Sequence, residues 1–93
     1  MRTIRRTAAF KRDYKREKRG RFAGNLDAEL ASVLNELAAD RELARRYHDH
    51  QLTGQWKDHR DCHVRPDLVP IYRKPDANHL DLVRLGSHSE LGL

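Results

Sequence analysis

The sequence predicts an α+β fold, two N-terminal helices packed on an antiparallel β-sheet, and three observations carry the prediction. In the first half apolar residues recur at helical spacing, most clearly Leu26, Leu30, Val33, Leu34 and Leu37. In the second half the spacing shortens, and strand-length segments alternate with Pro-, Gly-, Asn- and Asp-containing turns. The 93 residues show no internal repeat and no low-complexity linker, which fits residues 1–93 as one small domain with a modest core.

Met1 to Arg6 reads as a short opening strand with Ile4 as its apolar anchor. Thr7 is a good N-cap for a helix over Ala8 to Arg19, which Gly20 ends. Phe10 and Tyr14, four apart, form its apolar stripe and point to core packing, while basic residues ring the rest. Asn25 reads as the cap of a second helix reaching about Ala39, with Asp27 and Glu29 placed well for its dipole. That helix is scaffold. A short helical turn follows between Asp40 and Tyr47, then the Thr53-Gly54 turn and a strand from Trp56 to Val64. Pro66-Asp67 turns the chain into a second strand, Leu68 to Arg73, where Pro70 is awkward because it cannot donate to a ladder. A loop over residues 74–78 leads to a third strand, His79 to Leu85. The expected sheet is therefore an opening strand and a three-stranded meander, with helices on one face.

No apolar run is long enough to span a membrane, and the basic N-terminus has no apolar segment of the signal-peptide kind behind it. One cysteine cannot form an internal disulfide, in keeping with a reducing cytoplasm. The net charge of +5 is unevenly placed. Residues 1–21 hold ten Lys/Arg against two acids, and residues 22–93 hold nine against twelve. A basic block of this kind suits RNA, an acidic protein partner, or solubility alone. On the RNA reading, Lys11, Arg12, Lys15 and Arg16 of the first helix supply phosphate contacts.

The stretch from Tyr47 to Asp67 concentrates the chemistry. It contains His48, His50, His59 and His63, four aspartates, the only Trp and the only Cys. On a strand from Trp56 to Val64, His59, Asp61 and His63 share one side, with Arg60, Cys62 and Val64 on the other. Cys62 and Val64 suit the buried side, leaving imidazoles and a carboxylate together where protons can be exchanged near neutral pH. Two plainer readings stand beside this one. The histidines could decorate a solvated strand, or His59 and His63 with His48 or His50 could bind a metal. No second Cys supplies a CxxC pair, and Cys62 points away from His63.

Read as motifs, His50-x-Leu-x-Gly54-x-Trp56, Arg60-Asp61-Cys62-His63-Val64-x-Pro66-Asp67, Ile71-Tyr72 and Arg84-x-Gly86-Ser87-His88-Ser89-Glu90-Leu91 resemble the YafQ branch of the RelE-like toxins. These are endoribonucleases of bacterial type II toxin–antitoxin pairs, with a microbial-RNase-like α+β fold. The resemblance is strong over the C-terminal half and loose over the N-terminal half.

The resemblance implies cleavage of mRNA in the ribosomal A site, and a site rich in His and Asp without a second Cys or clear ligand spacing is expected to work without metal or cofactor. The resemblance also implies a cognate antitoxin that silences the chain, contact with rRNA, and operator DNA reached through the antitoxin. Its residue set falls on His50, Asp61, His63, Asp67 and His88. His50, His63 and His88 would transfer protons, Asp67 would take part or orient an imidazole, and Asp61 would orient His63 or Arg60. Arg84 would face the scissile phosphate, with Lys57 and Arg60 as weaker phosphate ligands. His48, His59 and His79 read as solvated surface histidines. Where the family commonly places a base-stacking aromatic, shortly after the last motif, this sequence has Gly92. A binding module of the same fold, holding RNA or antitoxin with weak cleavage, is the alternative.

Overall fold

The computed structural model describes residues 1–20 and 24–93. Among them the chain runs β1 (Thr3–Arg6), α1 (Ala8–Arg19), α2 (Leu26–Ala38), β2 (His50–Gln51), β3 (Arg60–Asp61), β4 (Val69–Arg73), β5 (His79–Gly86) and α3 (His88–Leu91). The strands form one sheet in the order β1-β5-β4-β3-β2. All its pairings are antiparallel except β1 with β5, which is parallel. This is the α+β fold that the sequence predicts.

Both long helices start where local chemistry says they should. The Thr7 side chain accepts from the Phe10 N–H at 3.0 Å, and the Gly20 N–H closes α1 on the Glu17 carbonyl. Phe10 is buried, and the hydroxyl of half-buried Tyr14 donates to Asp27 at the start of α2. Asn25 departs from its expected role. It stands at the N-cap of α2 with φ 63°, and its side chain makes no capping bond there. A left-handed backbone, which asparagine tolerates, turns the chain into the helix instead.

The sheet differs from the expected meander in three ways. The opening strand β1 joins the sheet as the edge beside β5, running parallel to it in register Thr3 with His79 to Arg6 with Leu82. His50–Gln51 adds a strand opposite β3. The strand read over Trp56–Val64 is cut down to Arg60–Asp61, because Gly54–Trp56 winds into a 3₁₀ turn with Gly54 at φ 65°. Beyond Asp61 the chain leaves β4, and the His63 N–H donates to the Tyr47 carbonyl. Pro70 is buried in the inner strand β4. β3 pairs only with Tyr72 and Ile71, so no described strand runs along Pro70 on that side to demand a donor.

Two apolar clusters sandwich the sheet. Phe10, Leu26, Leu30, Val33 and Leu37 of the helices pack on Leu68, Tyr72, Leu80, Leu82 and Leu85. Alternation along β4 and β5 sends Val69, Ile71 and Val83 to the other face, where Leu52, Trp56 and Leu91 cover them. Helices therefore cover both faces: α1 and α2 on one, the single-turn α3 on the other. Trp56 Nε1 donates to the Leu91 carbonyl at 3.4 Å and fastens α3 in place.

Candidate active site

Four segments that are separate in sequence meet at the exposed end of β2 and β3. β2 supplies His50, the extension of β3 supplies His63, the turn before β4 supplies Asp67, and the first residue of α3 is His88. The ring of His63 lies 4.9 Å from that of His88, 5.0 Å from that of His48 and 6.5 Å from that of His50, centre to centre. The structure thus brings together all five residues of the expected catalytic set.

The hydrogen bonds assign the protons. His88 donates to Asp67 Oδ1 from its backbone N–H at 3.0 Å and from Nδ1 at 2.7 Å. A carboxylate only accepts, so Nδ1 of His88 carries a proton and Nε2 faces His63. The two Nε2 atoms are 3.3 Å apart, close enough to share one proton. His50 is oriented in the same sense. Its Nδ1 lies 2.7 Å from the His48 carbonyl and 3.1 Å from Asp61 Oδ1, and its proton goes to the nearer oxygen. In the neutral ring that leaves the lone pair on Nε2.

Asp61 is buried at 1% exposure, and its Oδ1 makes no hydrogen bond despite the nearby ring. Burial pushes its carboxyl above the usual range, against the pull of His50, His63 and His88. His63 moves the other way. Burial and then the charge of His88 lower its affinity for a proton, with Asp61 opposing. A neutral His63 at physiological pH can accept a proton or pass one on.

Of the three histidines read as solvated, His59 departs from that reading. His48 is exposed, but its ring lies against His63 and its backbone sits at φ 49°. His59 is half-buried edge-on to Trp56 at 5.2 Å, with Nδ1 buried and unpartnered, and burial followed by the charge of Arg73 lowers its proton affinity. His79 pairs with Asp76 at 2.9 Å. Cys62 is fully buried, which pushes its thiol pKa up and removes it as a nucleophile or ligand. Among the described residues no group of three or more His, Cys, Asp or Glu side chains could hold a metal ion.

The expected phosphate ligands divide into two kinds. Lys11, Arg12 and Lys15 are exposed along α1, and Lys57 is exposed after the 3₁₀ turn. Arg60 Nε donates to Asp49 at 3.2 Å, and Asp49 also accepts from the Tyr72 hydroxyl. Arg84 and Arg16 are engaged by Asp13, a residue that sequence reading passed over. Asp13 is buried and accepts from Arg84 Nε at 2.7 Å, the Leu85 N–H at 3.0 Å and Arg16 at 3.0 Å. Burial alone would raise its carboxyl, but the Arg84 and Leu85 hydrogen bonds and both guanidinium charges hold it below the usual range. Arg16 also donates to the Leu85 carbonyl at 3.0 Å and lies 3.4 Å from Glu90. It ties α1 to the end of β5 and to α3 rather than standing free toward a polyanion. The available signal was an aspartate three residues after Phe10 in a mostly basic helix.

Ser87 and Glu90 form a capping box that starts α3 and sets His88 at its first position. At the other end Gly92 has φ 72° and closes the helix, its N–H bonding to the Ser89 carbonyl and that of Leu93 to His88. An aromatic side chain here would have to adopt a left-handed backbone, so Gly92 is set by the helix stop.

Three comparisons bear on this arrangement. Residues 2–92 match the family described as the bacterial toxin of the type II toxin–antitoxin system, YafQ. The mRNA interferase toxin YafQ of Escherichia coli K12 is 47% identical over 45 residues, 48% of each chain. The chain aligns over about half the length of the curated relatives it matches. A metal-bound toxin from Helicobacter pylori superposes with a TM-score of 0.87 at 43% identity, over 98% of this chain and 99% of that one. YafQ in the E. coli DinJ–YafQ toxin–antitoxin complex does so at 0.82 and 30%, over 97% and 96%. With a family match across nearly its whole length and the fold to go with it, the chain belongs to the YafQ family of type II toxins.

Proposed function

We propose that the protein is the toxin of a type II toxin–antitoxin pair and cuts mRNA by metal-independent acid–base catalysis. The observation that carries this reading is the His63–His88 pair, two Nε2 atoms 3.3 Å apart with His88 held by Asp67. RNA brings its own nucleophile. A base takes the proton of the ribose 2′-OH, the oxygen attacks phosphorus, and the bond to the 5′-oxygen breaks as an acid protonates it. His50, His63 and His88 can divide these proton transfers, with Asp61 and Asp67 as positioning groups. Arg84, held by Asp13, is the cation for the phosphorane-like transition state, with Lys57 and Arg60 weaker contributors.

On this reading the substrate is mRNA, as the names of its relatives indicate, and it is cut in the A site of the small ribosomal subunit in the cytoplasm, with contacts to rRNA. Lys11, Arg12 and Lys15 supply the long-range attraction. A cognate antitoxin silences the toxin and takes the complex to operator DNA. The second reading, an RNA- or antitoxin-binding module that cleaves weakly, is favoured by Gly92, because stacking on an aromatic is worth about 1–3 kcal/mol per base.

Expressing the chain alone and then beside its antitoxin, with His63→Ala and His88→Ala as controls, tests the proposal. Growth arrest and codon-sized cuts should appear with the parent chain, vanish with both variants and be suppressed by the antitoxin. Arrest that survives both substitutions at normal expression would overturn the catalytic assignment, and binding without cuts would establish the second reading.

A further inference from the structure

Beside the histidines runs an open groove of about 700 Å³. This is a size typical of pockets that enclose small ligands. The groove is lined by the exposed Ala28 and Ser32 of α2, by Arg46, Tyr47 and His48, and by His63. The Arg46 guanidinium sits 4.8 Å from the centre of the Tyr47 ring and donates to its hydroxyl at 2.8 Å. That bond steadies a flat cationic surface backed by an aromatic ring. Arginine planes and aromatic rings are the surfaces on which unpaired RNA bases stack.

The charge balance of the groove also favours a nucleotide. Glu29, the acid in its wall, is neutralised by Arg65 at 2.6 and 3.0 Å. Among the described residues Arg46 makes no ion pair with a carboxylate. The groove is bolted to the site as well. The His63 N–H donates to the Tyr47 carbonyl at 2.5 Å, and the His48 carbonyl receives His50 Nδ1. A group held on Arg46 and Tyr47 is thus placed relative to His50 and His63 through single backbone links.

We propose that this groove is a nucleotide subsite. It holds the base of the ribonucleotide next to the scissile phosphate, stacked on Arg46 over Tyr47 with its edge toward Ser32. This inference rests on the reading of the site as an RNA-cleaving one. It adds that base preference beside the cut is set by the α2 wall and the Arg46-Tyr47 pair, not by the imidazoles.

The test separates the two. Ribosomes programmed with an mRNA whose A-site codon is 2′-O-methylated, and the same oligonucleotide free in solution, each carry one 4-thiouridine beside the blocked bond. Blocking the 2′-OH stops cleavage, so crosslinking reports binding alone. Crosslinks should map to Ser32, Arg46 or Tyr47. Ala28→Trp, which fills the groove from an exposed helix position, and Arg46→Ala should each lower their yield on the order of tenfold. Both variants should also cut unblocked mRNA more slowly on extended codon contexts while their melting temperatures stay put. If the parent chain cuts mRNA but crosslinks fall elsewhere, or neither variant changes them, the subsite is refuted and the nuclease reading survives. If groove crosslinks form and fade as expected but no unblocked RNA is cut, the subsite stands and the nuclease reading fails. Variants that lose only antitoxin binding would mark the groove as a protein-docking surface and overturn the proposal.

Discussion

Replacing Asp67 by asparagine should slow RNA cleavage by about 5- to 30-fold and leave the protein folded. The magnitude follows from the geometry. Asp67 Oδ1 accepts from both the backbone N–H and Nδ1 of His88. A charge-assisted hydrogen bond of this kind contributes about 1.5–3 kcal/mol. The carboxylate is 48% exposed and the imidazole 34%, so water screens part of that, and about 1–2 kcal/mol is a fair share. An asparagine oxygen can keep the bond to the backbone N–H, so the start of α3 should hold and the melting temperature should move by only about 2–4 °C. What is lost is the carboxylate acceptor that holds the ring of His88 in its Nδ1–H form. Single-turnover cleavage on programmed ribosomes measures the effect. Combining it with His88→Gln tests the route: if Asp67 acts only through His88, the second substitution adds nothing in that background. Full additivity, or parent-like cleavage by Asp67→Asn, would refute this role for the carboxylate.

Asp61→Asn should stabilise the fold by about 1 kcal/mol, or about 5 °C, because Oδ1 is buried without a hydrogen bond, while cleavage falls. Its folded-state pKa is raised, so the wild-type carboxyl favours folding at low pH and loses that advantage as pH rises through the folded value. The gain from Asn should therefore grow with pH, and a gain confined to acid would contradict the assignment. His63 should titrate below its ordinary value of about 6.5 by NMR, and His88→Gln should raise it part of the way back, since burial persists. Because the folded state resists that proton, stability should decline as pH falls through about 6.5 toward the lowered value; an unshifted His63 would count against the pairing. Cleavage should survive exhaustive chelation with magnesium returned only to keep ribosomes assembled. Activity restored by zinc alone would overturn the metal-free mechanism. Lys11, Arg12 and Lys15 changed together to Gln should flatten the salt dependence of ribosome binding, whereas Arg16→Gln should chiefly lower the melting temperature because its guanidinium spans α1, β5 and Glu90. Equal effects on the salt slope would put Arg16 back among the phosphate contacts.

By itself the sequence determined the features that depend on neighbours along the chain. The bounds of α1 follow from the Thr7 cap, the Phe10–Tyr14 stripe and Gly20, and α2 follows from its leucine periodicity, all within a few turns of helix. Apart from β2 the short strands were legible as segments, and the family resemblance pointed to His50, Asp61, His63, Asp67 and His88 before any distance was known. The antiparallel run of β3, β4 and β5 was legible as a meander of sequence neighbours, but the places of β1 and β2 were not, since each depends on a partner that local pattern does not name. β1 finds β5 across more than seventy residues, and His50 becomes a strand residue only because Asp61 lies opposite it. The tertiary structure alone decided that Asp61 is buried, that Asp67 fixes the tautomer of His88, and that Arg16 is bound inward while Lys11 and Arg12 are not. Asp13 shows the reason most directly. On α1 it is one acid among many bases, and only when α1 packs across the end of β5 does burial convert it into the shared anchor of Arg84, Arg16 and the Leu85 N–H. A carboxylate's role depends on what removes water from it and which donors arrive in exchange, and both come from parts of the chain that local pattern cannot see.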